Sequence, residues 1–86
     1  MDLKGTLIEA RQKIELEKNW FGGSKPSTDS GQKCMFLALD SCCGDPEFDL
    51  AIQALRDVCG GSVIYFNDHH THAEVLAKFD EAIAKA

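Results

Sequence analysis

Residues 32–43 read QKCMFLALDSCC, the most apolar stretch of the chain, and the fold prediction starts from them. We predict a helix over 32–43 whose apolar run, from Cys34 to Leu39, lies at the centre of the core. Gly44 follows as a helix terminator, because glycine is common where a helix ends. The predicted fold is therefore organised around a buried second helix.

The next helix is predicted over 46–59. Asp45 is a suitable cap residue, and Pro46 after it occupies the first helical position, where proline is well tolerated. Acidic residues in the first turn complement the positive end of the helix dipole, and here they are Glu47 and Asp49. Apolar residues then recur at helical spacing until the Gly-Gly pair at 60–61.

Two further helices are predicted at the ends of the chain, over about 3–18 and 72–85. The first has apolar residues spaced by three or four positions, with Asp2 as its candidate cap. The last begins with a capping box, in which Thr71 and Glu74 satisfy each other's free amides. Between the first two helices, residues 21–31 are rich in Gly, Ser and Pro and predict a loop.

Residues 62–66 are the one stretch with strand character, because they include β-branched and aromatic side chains. Five residues do not distinguish a strand from a buried helical turn, and no partner strand is evident elsewhere. The predicted fold class is therefore mainly α: a small four-helix single domain over 1–86, with one short strand near 62–66 as an open alternative.

Length and composition limit the cellular setting. The 86 residues, 44% hydrophobic and 27% charged, suffice for one globular domain. No apolar run approaches the roughly 20 residues that cross a bilayer, and the N-terminus lacks a signal-peptide pattern. We expect a cytoplasmic protein that does not bind membranes, with its four cysteines reduced.

The net charge of −5 is concentrated in the second half of the chain. Residues 1–39 contain six basic and five acidic side chains, whereas residues 40–86 contain three basic and nine acidic ones. Such a field repels phosphate backbones and attracts basic surfaces. Direct nucleic-acid binding is therefore disfavoured, and a protein with a basic surface is the expected partner.

The acidic side chains are the main candidates for partner binding. Those at helix starts have a capping or dipole role that accounts for about half of the nine, while four others have no such role. We propose on the sequence that these four share one surface and imitate the charge of a nucleic-acid backbone. The acidic candidates are Asp40, Asp57, Asp80 and Glu81, together with Asp45, Glu47 and Asp49.

Trp20 is the remaining partner-binding candidate. Tryptophan dominates many interfaces, so an exposed Trp20 beside Phe21 would form an anchor or a homodimer contact. The simpler interpretation is that this single tryptophan closes one end of a small core.

Catalytic and metal chemistry receive less support. The cluster of His69, His70 and His72 offers imidazoles for zinc, but the cysteines lack the usual paired spacing of a zinc site. Adjacent Cys42 and Cys43 cannot easily point the same way on a helix, and the acids that follow disfavour a reactive thiolate. We expect neither an enzyme nor a cofactor.

Several residues together resemble a small uncharacterised family of bacterial and phage helical domains. The resemblance rests on Trp20 before a glycine, Cys34 with Ala38-Leu39, Phe66-Asn67-Asp68, and Thr71-x-Ala73-Glu74-Val75-Leu76. Phe66 stands where that aromatic-Asn-Asp pattern leads us to expect tryptophan. The resemblance implies a helical fold and carries over no activity.

The leading hypothesis is a non-enzymatic acidic binding protein. It is similar in type to phage-encoded inhibitors such as anti-CRISPR proteins, which occupy nucleic-acid-binding surfaces. No residue in the chain is diagnostic of those proteins. Two alternatives remain: a small metal- or thiol-dependent module built on the histidines and cysteines, and a helical subunit that homodimerises through Trp20 and Phe21.

Overall fold

The computed structural model describes residues 2–22, 32–44 and 46–86. Over these residues the chain is a mainly α domain, as predicted, with principal extents of 31 × 24 × 18 Å. Five α-helices are present in the described ranges: α1 (Leu3–Lys13), α2 (Met35–Cys42), α3 (Glu47–Cys59), α4 (Val63–His69) and α5 (His72–Lys85). α1 packs on α2, α3 and α5, while α4 packs on α2 and α3.

α1 is capped as predicted but ends earlier than expected. The Asp2 carboxylate accepts a hydrogen bond from the Gly5 amide (2.7 Å). The helix stops at Lys13, five residues before the predicted end, and a short 3-10 turn covers Glu17–Asn19. The extended backbone of Leu16 (φ −85°, ψ 133°) turns the chain, so that Trp20 enters the core instead of continuing the helix.

α2 is shorter than the predicted helix over 32–43 because the backbone of Lys33 forms hydrogen bonds outside the helix. The Phe21 amide donates to the Lys33 carbonyl oxygen (3.3 Å), and the Lys33 amide donates to the Asn19 carbonyl oxygen (2.9 Å). These bonds form a single parallel bridge between Trp20 and Lys33. They tie the two sides of the predicted loop together, whose residues 23–31 lie outside the described ranges.

α3 begins at Glu47 and buries Ala51, Leu55 and Val58 against the other helices. The predicted cap, Asp45, lies outside the described residues. Gly60 ends the helix with φ of +79°, a left-handed conformation that glycine adopts without steric cost.

The stretch left open between strand and helical turn is a helix, α4, which is the fifth helix beyond the four predicted. The Ser62 hydroxyl caps it by accepting from the Tyr65 amide (3.2 Å). Val63 and Phe66 are buried three positions apart, whereas Ile64 and Tyr65 face outward. A helix satisfies its own backbone groups, and so this segment needs no partner strand.

The capping box of α5 is present as predicted. The Thr71 hydroxyl accepts from the Glu74 amide (3.2 Å), and the Glu74 carboxylate accepts from the Thr71 amide (2.9 Å). This backbone hydrogen bond lowers the pKa of Glu74, because it stabilises the charged carboxylate. The helix then buries Val75, Phe79 and Ala82.

A buried asparagine joins three separate parts of the chain. The Asn67 side-chain oxygen accepts from the Trp20 indole N–H (2.7 Å) and from the Met35 amide (3.1 Å). The Asn67 side-chain N–H₂ donates to the Phe21 carbonyl oxygen (3.0 Å). Asn67 thereby satisfies a free amide at the start of α2 and holds Trp20 in the core, where Trp20 is only 3% exposed.

We predict that Asn67→Ala lowers the free energy of unfolding by about 3 kcal/mol, because it leaves several buried polar groups unpaired. Urea denaturation followed by tryptophan fluorescence measures this loss. The neighbouring exposed residue supplies the control, since Asp68→Ala should change stability by no more than about 0.5 kcal/mol. Equal effects of the two substitutions would contradict the structural role of Asn67.

Gly22 packs directly under the same asparagine. A Cβ atom at this position would meet the Asn67 side-chain amide and lie 2.5 Å from both the Asn67 carbonyl oxygen and the Trp20 ring. We predict that Gly22→Ala destabilises the domain by about 1–3 kcal/mol through overpacking. Gly44→Ala is the matched control in a thermal melt, because a Cβ atom there has no neighbour within 4 Å.

Candidate functional site

Two of the four acidic residues predicted to form one surface are ion-paired within the domain. Arg11 Nε lies 2.8 Å from Asp80 Oδ1, which joins α1 to α5. Glu81 lies 3.2 Å from Lys78 Nζ and 3.9 Å from Lys85 Nζ on its own helix. Arg11 also pairs with Glu15 (2.9 Å), so Asp80 shares its cation, whereas Glu81 has two lysines. Asp80 and Glu81 are therefore both ion-paired within the domain.

Asp40 and Asp57 are both exposed, and neither forms an ion pair with another described residue. Asp57 lines a cavity of about 210 Å³ together with Lys85, near the end of α5. Asp40 instead lies in the last turns of α2, where its charge acts on Cys43 together with that of Glu47 from the start of α3. Asp57 thus has a basic neighbour, whereas Asp40 belongs to a different group of carboxylates.

That group surrounds the end of α2. Glu47, Glu9 and Asp40 all lie close enough to Cys43 for their negative charges to raise the pKa of its thiol, after the larger effect of burial. The three acids come from α3, α1 and α2, and none is ion-paired among the residues that the structure describes. We call Glu9, Asp40 and Glu47 the acidic end of the domain.

The other acidic candidates stand near this region in sequence. Asp49 is exposed in the first turn of α3, two positions after Glu47. Asp45 is outside the described residues. The tertiary structure therefore brings together Asp40 and Glu47 from the predicted set and adds Glu9, while the α5 carboxylates pair with Arg11 and the lysines of their own helix.

An apolar groove lies between α2, α3 and α4. It has a volume of about 310 Å³ and is lined by Phe36, Ile52, Arg56, Ser62, Val63 and Ile64. Phe48 is not a lining residue but packs beside the groove, because the Phe48 ring meets the Phe36 ring edge-on with centroids 5.2 Å apart. Ile64 is 48% exposed on the rim. The groove is thus an open apolar surface rather than part of the closed core.

The groove and the acidic end adjoin one another. Asp40 follows Phe36 by four residues on α2, and residues four apart lie on the same helix face. Glu47 immediately precedes Phe48 at the start of α3. Carboxylates therefore stand at one end of the groove, where the Phe36 and Phe48 rings meet.

Sequence reasoning missed this groove. Residues 62–66 were left open between a strand and a buried helical turn, and neither alternative places Ile64 and Tyr65 together on an outer surface. The available signal was the Ser62 cap before the run, since a serine at this position favours a helix start. The spacing of Phe48, Ile52 and Arg56 was a second signal for one shared helix face.

Cys42 and Cys43 point to the same acceptor, contrary to the expectation that neighbouring cysteines diverge. The Cys42 and Cys43 thiols lie 3.4 Å and 3.3 Å from the Leu39 carbonyl oxygen. They converge because Cys43 leaves the helix with an extended backbone. Burial and the neighbouring Cys43 raise the pKa of Cys42 to about 11, so both thiols are held in the protonated form at neutral pH.

Each histidine of the 69–72 segment has its own partner. The His70 ring stacks on Phe66 and lies 2.8 Å from the Phe66 carbonyl oxygen, while the His69 ring packs against Tyr65. His72 Nε2 donates to the Ile14 carbonyl oxygen (2.7 Å) and its ring lies against Trp20. Within residues 2–22, 32–44 and 46–86, no three His, Cys, Asp or Glu side chains form a group that could hold a metal ion.

Trp20 does not form an exposed anchor. It is buried by α4 and α5, and its indole N–H is already bonded to Asn67, so the core interpretation applies. Phe21 is only partly exposed. The condition for Trp20 to act as an exposed partner-binding anchor is therefore not met, while homodimerisation of the chain stays a prediction.

The described part of the chain includes no helix with both the length and the apolar character needed to cross a membrane.

Comparison with known proteins assigns the chain to a family. The model of a family of unknown function, DUF6197, matches residues 1–85, and the chain therefore belongs to that family. No match was found among curated proteins or among solved structures.

We predict that Cys42 reacts slowly with iodoacetamide in the folded protein. A pKa of about 11 leaves roughly a hundredth of the thiolate that an unperturbed thiol has at pH 8, and the thiolate is the reactive form. Mass spectrometry of alkylated peptides measures the rate, with the urea-unfolded chain as control. Equal rates in the two states would contradict the protonated thiol pair.

Proposed function

We propose that this member of the family is a non-catalytic binding protein whose acidic end docks on a basic surface of a partner protein. The observation that supports this proposal is the division of the acids into two kinds. Glu9, Asp40 and Glu47 are unpaired among the described residues, whereas Asp80 and Glu81 each form an ion pair with a cation of the same chain.

The unpaired acids suit recognition for an electrostatic reason. They come from three helices that pack together, and so their relative positions are set by the fold. Complementary charge of this kind raises the association rate and orients the partner. Carboxylates already paired within the chain give little of this benefit, because a new partner must first displace the existing cation.

The proposed partner is a protein and not a nucleic acid, since the carboxylates repel phosphates. A basic surface that normally binds nucleic acid is the target class that best complements them. Occlusion of such a surface is how an inhibitor from a phage or mobile element, similar in type to anti-CRISPR proteins, would act. We include this inhibitory role in the proposal.

The thiol-dependent alternative receives less support from the geometry. A nucleophilic or metal-binding cysteine works as the thiolate, and this form needs an electropositive setting. Burial, the neighbouring Cys43 and Glu9 raise the pKa of Cys42, with a smaller opposite effect from Lys13. Burial and three carboxylates raise the pKa of Cys43. A binding role for the adjacent acids accounts for the same arrangement more directly.

Two double variants with the same change in net charge test the proposal. Asp40→Asn with Glu47→Gln removes two unpaired carboxylates, while Asp80→Asn with Glu81→Gln removes two paired ones. Each tagged protein is used to capture partners from native-host lysate, and captured proteins are quantified by mass spectrometry. We expect the first variant to lose about tenfold or more of the captured partner and the second to retain it.

Titration of the captured partner at increasing salt supplies the second measurement. The wild-type affinity should fall with salt, and the variant of Asp40 and Glu47 should show a flatter dependence. Circular dichroism confirms folding of both variants. If the two double variants lost the captured partner equally, binding would depend on net charge alone. If neither variant lost it, docking through the acidic end would be contradicted.

A further inference from the structure

The apolar groove has a defined direction along α3. Phe48, Ile52 and Arg56 are spaced by four residues, and so their side chains form a row on one helix face. At a rise of 1.5 Å per residue the row extends about 12 Å, which is slightly more than two helical turns. Phe36 from α2 and Ile64 from α4 form the walls on either side.

The two ends of this row carry opposite charge. Asp40 and Glu47 stand at the Phe48 end, because Asp40 shares a helix face with Phe36 and Glu47 directly precedes Phe48. Arg56 lies at the other end, where its exposed side chain lines the groove. None of the described acidic residues forms an ion pair with Arg56. Asp57, the next residue, lines a neighbouring cavity with Arg56 but does not line this groove. The groove thus has carboxylates beside one end, apolar side chains in the middle and the Arg56 guanidinium at the other end.

The apolar middle is large enough to influence binding. Ile64 is 48% exposed and Phe36 and Ile52 are partly exposed around a volume of about 310 Å³. Covering such apolar surface contributes roughly 25 cal/mol of favourable binding free energy for each Å² removed from water. Side chains of a partner that enter the groove would therefore add affinity beyond the charge of the acidic end.

We infer that the groove binds an amphipathic helix of the partner, oriented antiparallel to α3. A helix is favoured over other segments because its own charge preference matches the groove. Acidic residues are stable in the first turn of a helix and basic residues in the last turn. An antiparallel helix places its first turn beside Arg56 and its last turn beside Asp40 and Glu47.

This inference rests on the proposed function, since it specifies how the basic partner is held. Apolar side chains at three- and four-residue spacing would face Phe36, Ile52 and Ile64. The basic residues of the last turn would meet the acidic end. Specificity would then come from the order of charges along the helix, in addition to its net charge.

Two synthetic peptides of about three helical turns test the order of charges. Both have capped termini, leucines at helical spacing and lysines in the last turn. The first has glutamates in its first turn, and the second has lysines there. Fluorescence anisotropy should show that the wild-type protein binds the first peptide about tenfold more tightly.

Arg56→Glu provides the charge-swap variant. It should reverse the preference, so that the peptide with lysines at both ends binds more tightly than the peptide with glutamates. Equal preference in the wild-type protein, or no reversal in the variant, would overturn the inferred orientation. A simple loss of folding cannot produce a reversal of preference, so the result does not depend on unchanged stability.

Ile64→Asp tests the apolar middle, with Leu50→Asp as its matched control. Both residues are exposed leucine or isoleucine side chains, but Leu50 does not line the groove. Ile64→Asp should weaken binding of the first peptide by about tenfold, and Leu50→Asp should leave the affinity for that peptide unchanged. Equal effects of the two substitutions would contradict binding in the groove.

Sedimentation of the wild-type protein and the Ile64→Asp variant identifies the competing occupant. A dimer that Ile64→Asp dissociates would show that a second copy of the chain fills the groove, and it would overturn the helix inference. The outcomes also separate the two proposals. The variant of Asp40 and Glu47 could lose the captured partner while substitution of Arg56 or Ile64 leaves peptide affinity unchanged. That result would support docking through the acidic end and contradict the groove inference.

Discussion

The side-chain amide of Asn67 bonds three groups that lie far apart in the sequence, and the arrangement of the helices depends on it. Its oxygen holds the Trp20 indole and the first amide of α2, and its N–H₂ group holds the Phe21 carbonyl oxygen. A buried polar side chain is favourable only when its partners are all present. The positions of α2, α4 and the segment after α1 are therefore coupled.

This coupling explains the groove. The hydrogen bonds of Asn67 orient α4 so that Val63 and Phe66 face the core, and Ile64, on the other side of the helix, then faces outward beside Phe36. His72 adds a second link, because it bonds the Ile14 carbonyl oxygen at the end of α1. Residues that carried the family resemblance, including Trp20, Asn67 and Thr71, thus have structural roles, and none of these three belongs to the proposed binding surface.

Ion pairing divides the acidic residues in a way that charge counting does not reveal. Arg11 reaches across from α1 to Asp80, and Lys78 and Lys85 accompany Glu81 on α5. Exposed pairs of this kind contribute little to stability, but they reduce the charge that the α5 surface presents. The unpaired acids at the end of α2 remain, and they adjoin the groove. A surface with charge and apolar area together suits a binding protein better than charge alone.

The amino-acid sequence by itself determined the local features of the fold. Hydrophobic spacing located four helices, and capping residues such as Asp2 and Thr71 marked two of their starts correctly, because these signals act over three or four neighbouring residues. Only the tertiary structure decided that residues 63–69 form a helix, that Cys42 and Cys43 converge, and which carboxylates are paired. The Arg11–Asp80 pair and the place of α4 depend on groups distant in sequence, such as Trp20 with Asn67, whose approach is set by the packing of the whole core. The cysteine contacts and the Glu81 pairs join near neighbours, but they depend on where each helix ends and on side-chain conformations that hydrophobic spacing does not give.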